Sequence, residues 1–266
     1  MTKSKAFPRI LVVIPTLGQR TTLLRKTLES VKSQFPVSFD IVMVFPLKNK
    51  ATMTLAKEYG ALCVQDPGSL SGALNVGIAT AIKPRHRYIS WIGDDDLIAP
   101  ESLSTTMTAL DKNPDAVVAF GYCDYIDDKG FRIITSKAGN LAPWIMTWGP
   151  NLMPCPGTLF RYSALKSAGE FDVSNKYSMD LDMFLRLRKL GKFINTKTVL
   201  ASFRWHPDST TVANRNVVIK ETEMVKRKYL PRPLRFIAPL WETPVRIATK
   251  IAAQHVSKLA NNNKQV

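Results

Sequence analysis

Short apolar runs alternate with amphipathic stretches along the first 120 residues. Residues 10–14 form a β-branched run that ends at Pro15, which is typical of a central parallel strand buried on both faces. Apolar residues at helical spacing follow at Leu24, Leu28 and Val31. Thr21 or Thr22 is a candidate to cap the start of that helix. The pattern therefore predicts a strand followed by a helix.

The same alternation continues. It predicts strands at residues 41–45, 62–64 and 88–92, and helices at residues 52–59, 71–82 and 100–110. Repeated strand–helix units predict an α/β fold with a doubly wound, mostly parallel sheet flanked by helices. After a strand at residues 117–120 the rhythm changes, and residues 122–135 indicate an antiparallel excursion with a turn at residues 128–130.

The last third of the chain has a different character. Residues 139–156 are rich in loop formers, and a helix is predicted at residues 180–190, ended by Gly191. Its apolar stripe consists of Met179, Met183, Leu187 and Leu190. From Phe203 onward twelve Lys or Arg residues stand against four Asp or Glu. We therefore expect a main unit over residues 1–215 and a separate basic, helical tail over residues 216–266.

Charge and cysteine content narrow the class of protein. The 37 Lys and Arg residues outnumber 21 Asp and Glu, and the formal net charge of +16 attracts nucleic acid, anionic lipid or sugar diphosphates. The three cysteines are widely spaced, so we expect reduced thiols. No apolar run approaches the roughly 18 residues needed to span a membrane. The expected location is cytoplasmic, either free or peripheral on the inner face of the cytoplasmic membrane.

An acidic triplet, Asp94-Asp95-Asp96, directly follows the predicted strand at residues 88–92. Ligands of open α/β sheets bind at the carboxyl ends of parallel strands. Three adjacent carboxylates repel one another, and a divalent cation with oxygen ligands, Mg²⁺ or Mn²⁺, relieves that repulsion. The alternative is a solvated acidic turn that stabilises the helix starting near Pro100. The position at the end of a strand favours the cation site.

Three segments resemble the successive motifs of family 2 glycosyltransferases, namely VIPT at residues 13–16, GSLSGALNVG at residues 68–77 and WIGDDD at residues 91–96. The resemblance runs from about residue 10 to residue 206. It implies a GT-A fold, a nucleotide-sugar donor, a divalent cation and inversion at the anomeric carbon. Residues 1–215 then become the catalytic domain, with a donor-binding half at about residues 8–115 and an acceptor-side half at about residues 116–215.

The resemblance assigns the donor contacts to a small set of residues, Pro15, Thr16, Asn75, Asp94 and Asp95. Two departures put the donor's base and sugar in question. Residues 45–48 read FPLK where many relatives have an acidic turn, and Leu74 replaces an Arg that is common before the motif's Asn. Asp66 is a candidate substitute for the nucleoside contact, and an ordinary Asp-Pro turn is the alternative.

For the cation, the resemblance implies Asp95, Asp96 and His206 as ligands. His206 lies in the segment FRWHP at residues 203–207, where many related enzymes have a histidine that contacts the metal or the diphosphate. Mn²⁺ accepts a nitrogen ligand more readily than Mg²⁺ does. The alternative for His206 is a packed or surface side chain beside Trp205.

Further along, GTLFR at residues 157–161 and SMDLDMFLR at residues 178–186 resemble the family's acceptor-side segment. Asp180 falls on its catalytic carboxylate. An inverting transfer needs one general base to take the proton of the attacking hydroxyl. The alternative is that Asp180 only stabilises the start of its helix. Asp182 is the weaker candidate, because Arg186 lies four residues later and can pair with it.

The expected function is therefore transfer of a sugar from a nucleotide diphosphate-sugar to a hydroxyl of a glycan or lipid-linked glycan, as in cell-surface polysaccharide synthesis. The tail, with basic residues interleaved among Phe236, Trp241 and other apolar residues, fits either an anionic membrane surface or packing on the catalytic domain. A sugar nucleotidylyltransferase and a non-catalytic basic protein that binds nucleotides or nucleic acid are the rivals. No nucleic-acid-binding motif is present, so no nucleic acid partner is expected.

Overall fold

The computed structural model describes residues 9–206 and 214–262. Its first half alternates strands and helices: β1 (Ile10–Pro15), α1 (Thr21–Lys32), β2 (Phe39–Phe45), α2 (Lys50–Glu58), β3 (Leu62–Gln65), α3 (Leu70–Ala81) and β4 (Tyr88–Trp91). Each element lies within two residues of its predicted bounds at nearly every end. The predicted threonine cap of α1 is wrong, because the helix begins at Thr21 itself and Arg20 precedes it without a side-chain capping bond.

The second half comprises β5 (Leu97–Ile98), α4 (Ser102–Lys112), β6 (Ala116–Ile126), β7 (Arg132–Ser136), α5 (Ala142–Ile145), β8 (Leu159–Arg161), α6 (Tyr162–Ala168), α7 (Met179–Leu187) and β9 (Lys192–Arg204). The β6–β7 hairpin is the predicted antiparallel excursion, and the amide of Gly130 donates to the Asp127 carbonyl in its turn at 3.1 Å. Helix α7 ends earlier than predicted. Leu190 is 47% exposed and does not belong to its buried stripe.

Within the described ranges, the strands form one sheet in the order β3-β2-β1-β4-β8-β6-β9-β5, and β7 pairs with β6. Strands β3, β2, β1 and β4 are parallel, whereas β8 runs antiparallel to both β4 and β6. In the β1–β4 pair, Val13 lies opposite Trp91. This register brings the residues that follow both strands, Thr16 and Asp94, to the same edge of the sheet.

The tail is helical, as predicted, and consists of α8 (Arg215–Tyr229), α9 (Arg232–Ile237) and α10 (Pro239–Asn262). Helix α8 packs against α7, and its Val225 is fully buried. Paired charges join α8 to α10 through Arg227–Glu242 and Arg246–Glu223. Among the helices described, none combines the length and the apolar character that crossing a bilayer requires.

Candidate active site at the ends of β1 and β4

The first part of the site joins the ends of β1 and β4. The Thr16 hydroxyl donates to Asp94 Oδ2 at 2.5 Å and accepts a hydrogen bond from the Gly18 amide at 2.8 Å. Both Thr16 and Asp94 are buried. The turn after β1 therefore orients a hydroxyl against the first carboxylate of the acidic triplet, as expected for two residues of one pocket.

Arg20 bridges two carboxylates of the triplet. Its guanidinium donates to Asp94 Oδ1 at 2.8 Å and to Asp95 Oδ2 at 2.6 Å. His206 Nε2 lies 3.0 Å from Asp95 Oδ2 and 3.1 Å from Arg20 Nη1. The structure thus brings His206 to the acidic triplet. Arg20 is not among the site residues predicted from the sequence, although a basic residue in the loop after β1 was a usable signal.

Asp96 is the most enclosed member of the triplet, with 4% of its surface exposed. Its Oδ1 accepts the Arg204 amide at 2.9 Å, so strand β9 holds this carboxylate in place. Burial, followed by the charge of Asp95, raises the pKa of Asp96 well above its usual range. Burial is also the main cause of the raised pKa of Asp94. Both shifts show that burial disfavours the ionised form of these two carboxyls.

Two carboxylates of the triplet approach one point beside Gly93. In the described part of the chain, no group of three or more carboxylates, imidazoles and thiols is already arranged as a metal site. However, Asp95 Oδ1 and Asp96 Oδ2 both lie 3.3 Å from the point that a Cβ atom on Gly93 would occupy. Two carboxylate oxygens on one side of a glycine, with an imidazole beside them, suit Mn²⁺ or Mg²⁺.

Asp180 lies in the first turn of α7 and is half-buried. Its Oδ1 accepts the Leu181 amide at 2.7 Å. Burial is the main cause that raises the pKa of Asp180 to about 6, and the negative charge of Glu221 adds to it. The buried thiol of Cys155 is within electrostatic range of both Asp180 and Asp96, whose charges add to the effect of burial in raising its pKa. The two acidic centres therefore approach the same part of the core.

Asp180 opens into a cavity of about 240 Å³. Its wall is shared by the loop at residues 148–151, the start of α7, and the tail helices α8 and α10. A carboxylate with a raised pKa at the wall of a cavity is a candidate general base, because it is ionised near neutral pH and still basic enough to accept a proton.

Comparison with known proteins identifies the family of the chain that carries this site. The family model described as glycosyl transferase family 2 matches residues 11–166, which include the ends of β1 and β4 and the whole acidic triplet. The chain belongs to glycosyl transferase family 2. The predicted resemblance is thereby confirmed, and a sugar nucleotidylyltransferase is not favoured.

Among curated proteins, this family 2 chain is similar to an uncharacterized glycosyltransferase of Rickettsia typhi, with 27% identity over 221 residues that cover 77% of the chain and 66% of the relative. An uncharacterized glycosyltransferase of Rickettsia felis is 23% identical over 97% of the chain and 47% of its own length. The chain thus spans between about half and two thirds of these relatives.

Solved structures confirm the GT-A-like α/β fold of the family 2 chain. Residues 1–349 of the TarS protein of S. aureus, solved with UDP-GlcNAc, have a TM-score of 0.65 at 13% identity, and the match covers 85% of this chain and 69% of that TarS fragment. The mannosyltransferase PcManGT of Pyrobaculum calidifontis, solved with GDP-Man and Mn²⁺, has a TM-score of 0.61 at 15% identity, covering 98% and 81% of the two chains.

The remaining donor-side residues have local structural contacts. Asn75 exchanges two hydrogen bonds of 2.9 Å with the backbone of Phe171, and so ties α3 to the loop before α7. Asp66 Oδ1 accepts the Gly68 amide at 3.0 Å, which is the Asp-Pro turn considered as its alternative role. Pro15 is buried at the end of β1. Donor contacts from these three family 2 positions stay predictions.

The tail supplies contacts to α7 that our sequence analysis did not foresee. Glu221 of α8 accepts the backbone amides of Lys176, Tyr177 and Ser178 at 3.1, 2.7 and 2.7 Å. These amides directly precede Met179, the first residue of α7, so the tail orients the start of that helix. Asp182 pairs with Arg186 at 2.9 Å, as its spacing predicts.

Proposed function

We propose that this chain transfers one sugar from a nucleoside diphosphate sugar to a hydroxyl group of a glycan or lipid-linked glycan acceptor, with inversion at the anomeric carbon. The observation that carries the proposal is the position of Asp180, a carboxylate with a pKa of about 6 at the wall of a cavity, in a chain whose family 2 domain carries the acidic triplet. Inversion needs a single displacement, for which one general base suffices.

In the proposed reaction, the acceptor hydroxyl gives its proton to Asp180 while its oxygen forms a bond to the anomeric carbon. The bond between that carbon and the donor's phosphate oxygen breaks, and the nucleoside diphosphate departs with the electron pair. The Leu181 amide occupies Asp180 Oδ1, which leaves Oδ2 as the oxygen for the proton. The Glu221 carboxylate stabilises the conformation of the loop that precedes this base.

On the donor side, the Thr16–Asp94 pair presents a hydroxyl and a carboxylate to the nucleotide. A Mn²⁺ or Mg²⁺ ion held by Asp95, Asp96 and His206 would supply positive charge for the departing diphosphate. The Arg20 guanidinium lies at Asp94 and Asp95 and would contribute a second positive charge to the same phosphates. The positive charges of the cation and of Arg20 would both favour departure of the nucleoside diphosphate.

A donor screen tests the proposal. The full chain with Mn²⁺ or Mg²⁺ is offered UDP-GlcNAc, GDP-mannose and other activated sugars, and release of the nucleoside diphosphate is measured. We expect release from at least one donor, and a loss of at least about a hundredfold in Asp180→Asn, with donor affinity kept. Asp95→Asn should instead weaken metal-dependent donor binding in calorimetry. Normal turnover by Asp180→Asn would refute the assignment of the base.

The tail also supports a role at an anionic membrane surface, where a lipid-linked acceptor of cell-surface polysaccharide synthesis would be met. Apolar side chains of α9 and α10 face solvent, with exposures of 87% for Phe236, 76% for Leu240 and 60% for Ile251. Arg232 and Arg235 are exposed on α9 beside them. Basic and apolar groups on one surface favour binding to anionic lipid. The opposite sides of α8 and α10 pack on the protein, so part of the tail fits the packing alternative.

A further inference from the structure

The cavity at Asp180 is built largely from the tail. The tail helix α8 contributes Val218 and Thr222, and α10 contributes Val245 and Thr249. The catalytic domain contributes the start of α7 and the loop at residues 148–151. At about 240 Å³ the cavity is smaller than the roughly 300–1,000 Å³ of sites that enclose drug-sized ligands. It therefore has room for one monosaccharide ring rather than an oligosaccharide.

The lining combines an aromatic surface with hydroxyl groups. The Trp148 ring lies edge-on to Trp241 of α10, with 5.7 Å between the ring centres, so its orientation is held by the tail. Tyr177 lines the same space. The Thr249 hydroxyl donates to the Val245 carbonyl at 2.8 Å and keeps its acceptor lone pairs free for a ligand. Apolar faces and hydroxyls of a sugar find matching groups in such a lining.

Two carboxylates that line the cavity are paired with arginines. Glu223 receives two hydrogen bonds from Arg246, at 2.9 and 2.8 Å, and Glu242 is paired with Arg227. Lys226 donates to the Gly149 carbonyl, and burial lowers its pKa to about 8. Among the described lining residues, Arg246 is thus held by Glu223, whereas Asp180 faces the cavity as a carboxylate that would repel an anionic group. The cavity therefore suits an uncharged ligand.

We propose that this cavity binds the terminal, uncharged monosaccharide of the acceptor, and that Val218, Thr222 and Thr249 of the tail determine which sugar fits. The proposal rests on the proposed transferase function, because it makes Asp180 the base for a hydroxyl of that same ring. The tail then supplies acceptor specificity, while the ends of β1 and β4 bind the donor.

The test uses methyl glycosides of glucose, galactose, mannose and N-acetylglucosamine as neutral probes, with methyl glucuronide as the charged probe. Binding to the full chain is measured by saturation-transfer NMR titration. We expect at least one neutral glycoside to bind, and Val218→Phe, which fills the cavity, to weaken it at least tenfold. Val217→Phe is the matched control, because the neighbouring Val217 is 51% exposed and does not line the cavity. It should bind like the wild type.

A second variant and its control keep the test valid if Val218→Phe does not fold. Thr249→Val removes one hydroxyl without changing the shape of the side chain, and exposed Thr243→Val on the same helix is its control. We expect severalfold weaker binding in the first variant alone. Unchanged binding in the cavity variants, preference for the glucuronide, or no neutral glycoside binding to the wild type would each overturn the proposal. Donor affinity, measured separately by calorimetry, should stay within twofold in every variant; its absence in the wild type would count against the transferase function instead.

Discussion

Replacing Asp180 by Asn should remove activity and increase stability at the same time. Burial raises the pKa of this carboxyl from 3.8 to about 6, so the folded protein must hold an ionised carboxylate in surroundings that disfavour it. At about 1.36 kcal/mol for each pKa unit, the free energy of unfolding is lowered by up to about 3 kcal/mol above pH 6. This figure is an upper limit, because Asp180 is half-buried and reaches the open cavity.

The pH dependence follows from the sign of the shift. A raised folded-state pKa means that the folded protein binds the proton more tightly than the unfolded chain does, so wild-type stability falls as the pH rises from about 4 to about 6. The Asn variant lacks this cost. Its gain in the free energy of unfolding should be largest at pH 7–8 and should vanish near pH 4. Chemical denaturation across this pH range measures the difference.

Asp182→Asn is the matched control on the same helix. Asp182 pairs with Arg186 at 2.9 Å and accepts the Tyr229 hydroxyl at 2.6 Å. Its replacement should lower the free energy of unfolding by about 1–3 kcal/mol, while folded molecules keep their nucleotide release. A catalytic loss in Asp182→Asn with normal turnover in Asp180→Asn would refute the reasoning, and so would an Asp180→Asn variant less stable than the wild type at pH 8.

Three further outcomes are expected. Glu221→Gln removes a negative charge that raises the pKa of Asp180, the proposed base, so the acid limb of the kcat/KM profile should move to lower pH and kcat should fall. Arg20→Ala removes the cation that competes for Asp95, so paramagnetic resonance should show tighter Mn²⁺ binding and thermal melting should show lower stability without metal. Double replacement of Phe236 and Leu240 by Ser should reduce the fraction of protein that sediments with anionic vesicles. The fraction that sediments with neutral vesicles should stay the same.

The first half of the fold could be predicted from the sequence because its strands are buried on both faces and read as continuous apolar runs. Strand β9 could not. Its residues Lys192, Asn195 and Lys197 are polar, and its exposed and half-buried positions do not alternate with period two. It is held as a strand by pairing with β6 and β5, a non-local interaction that leaves no local pattern. Missing β9 also hid Arg204, which fixes Asp96.

In the candidate site, too, the residues that follow buried strands could be predicted, whereas the contacts made by distant segments could not. The positions of Thr16, Asp94 and Asp95 could be anticipated because each directly follows a strand whose burial the sequence encodes. Nothing local indicates that Glu221 binds the amides before Asp180, or that α10 closes the cavity. The basic composition of the tail points instead to a separate unit. Because its acidic residues, Glu221, Glu223 and Glu242, are used in contacts with the catalytic domain or between tail helices, the excess positive charge is left for the outer surface. On our two proposals, the tail shapes the acceptor site with one side and meets an anionic surface with the other.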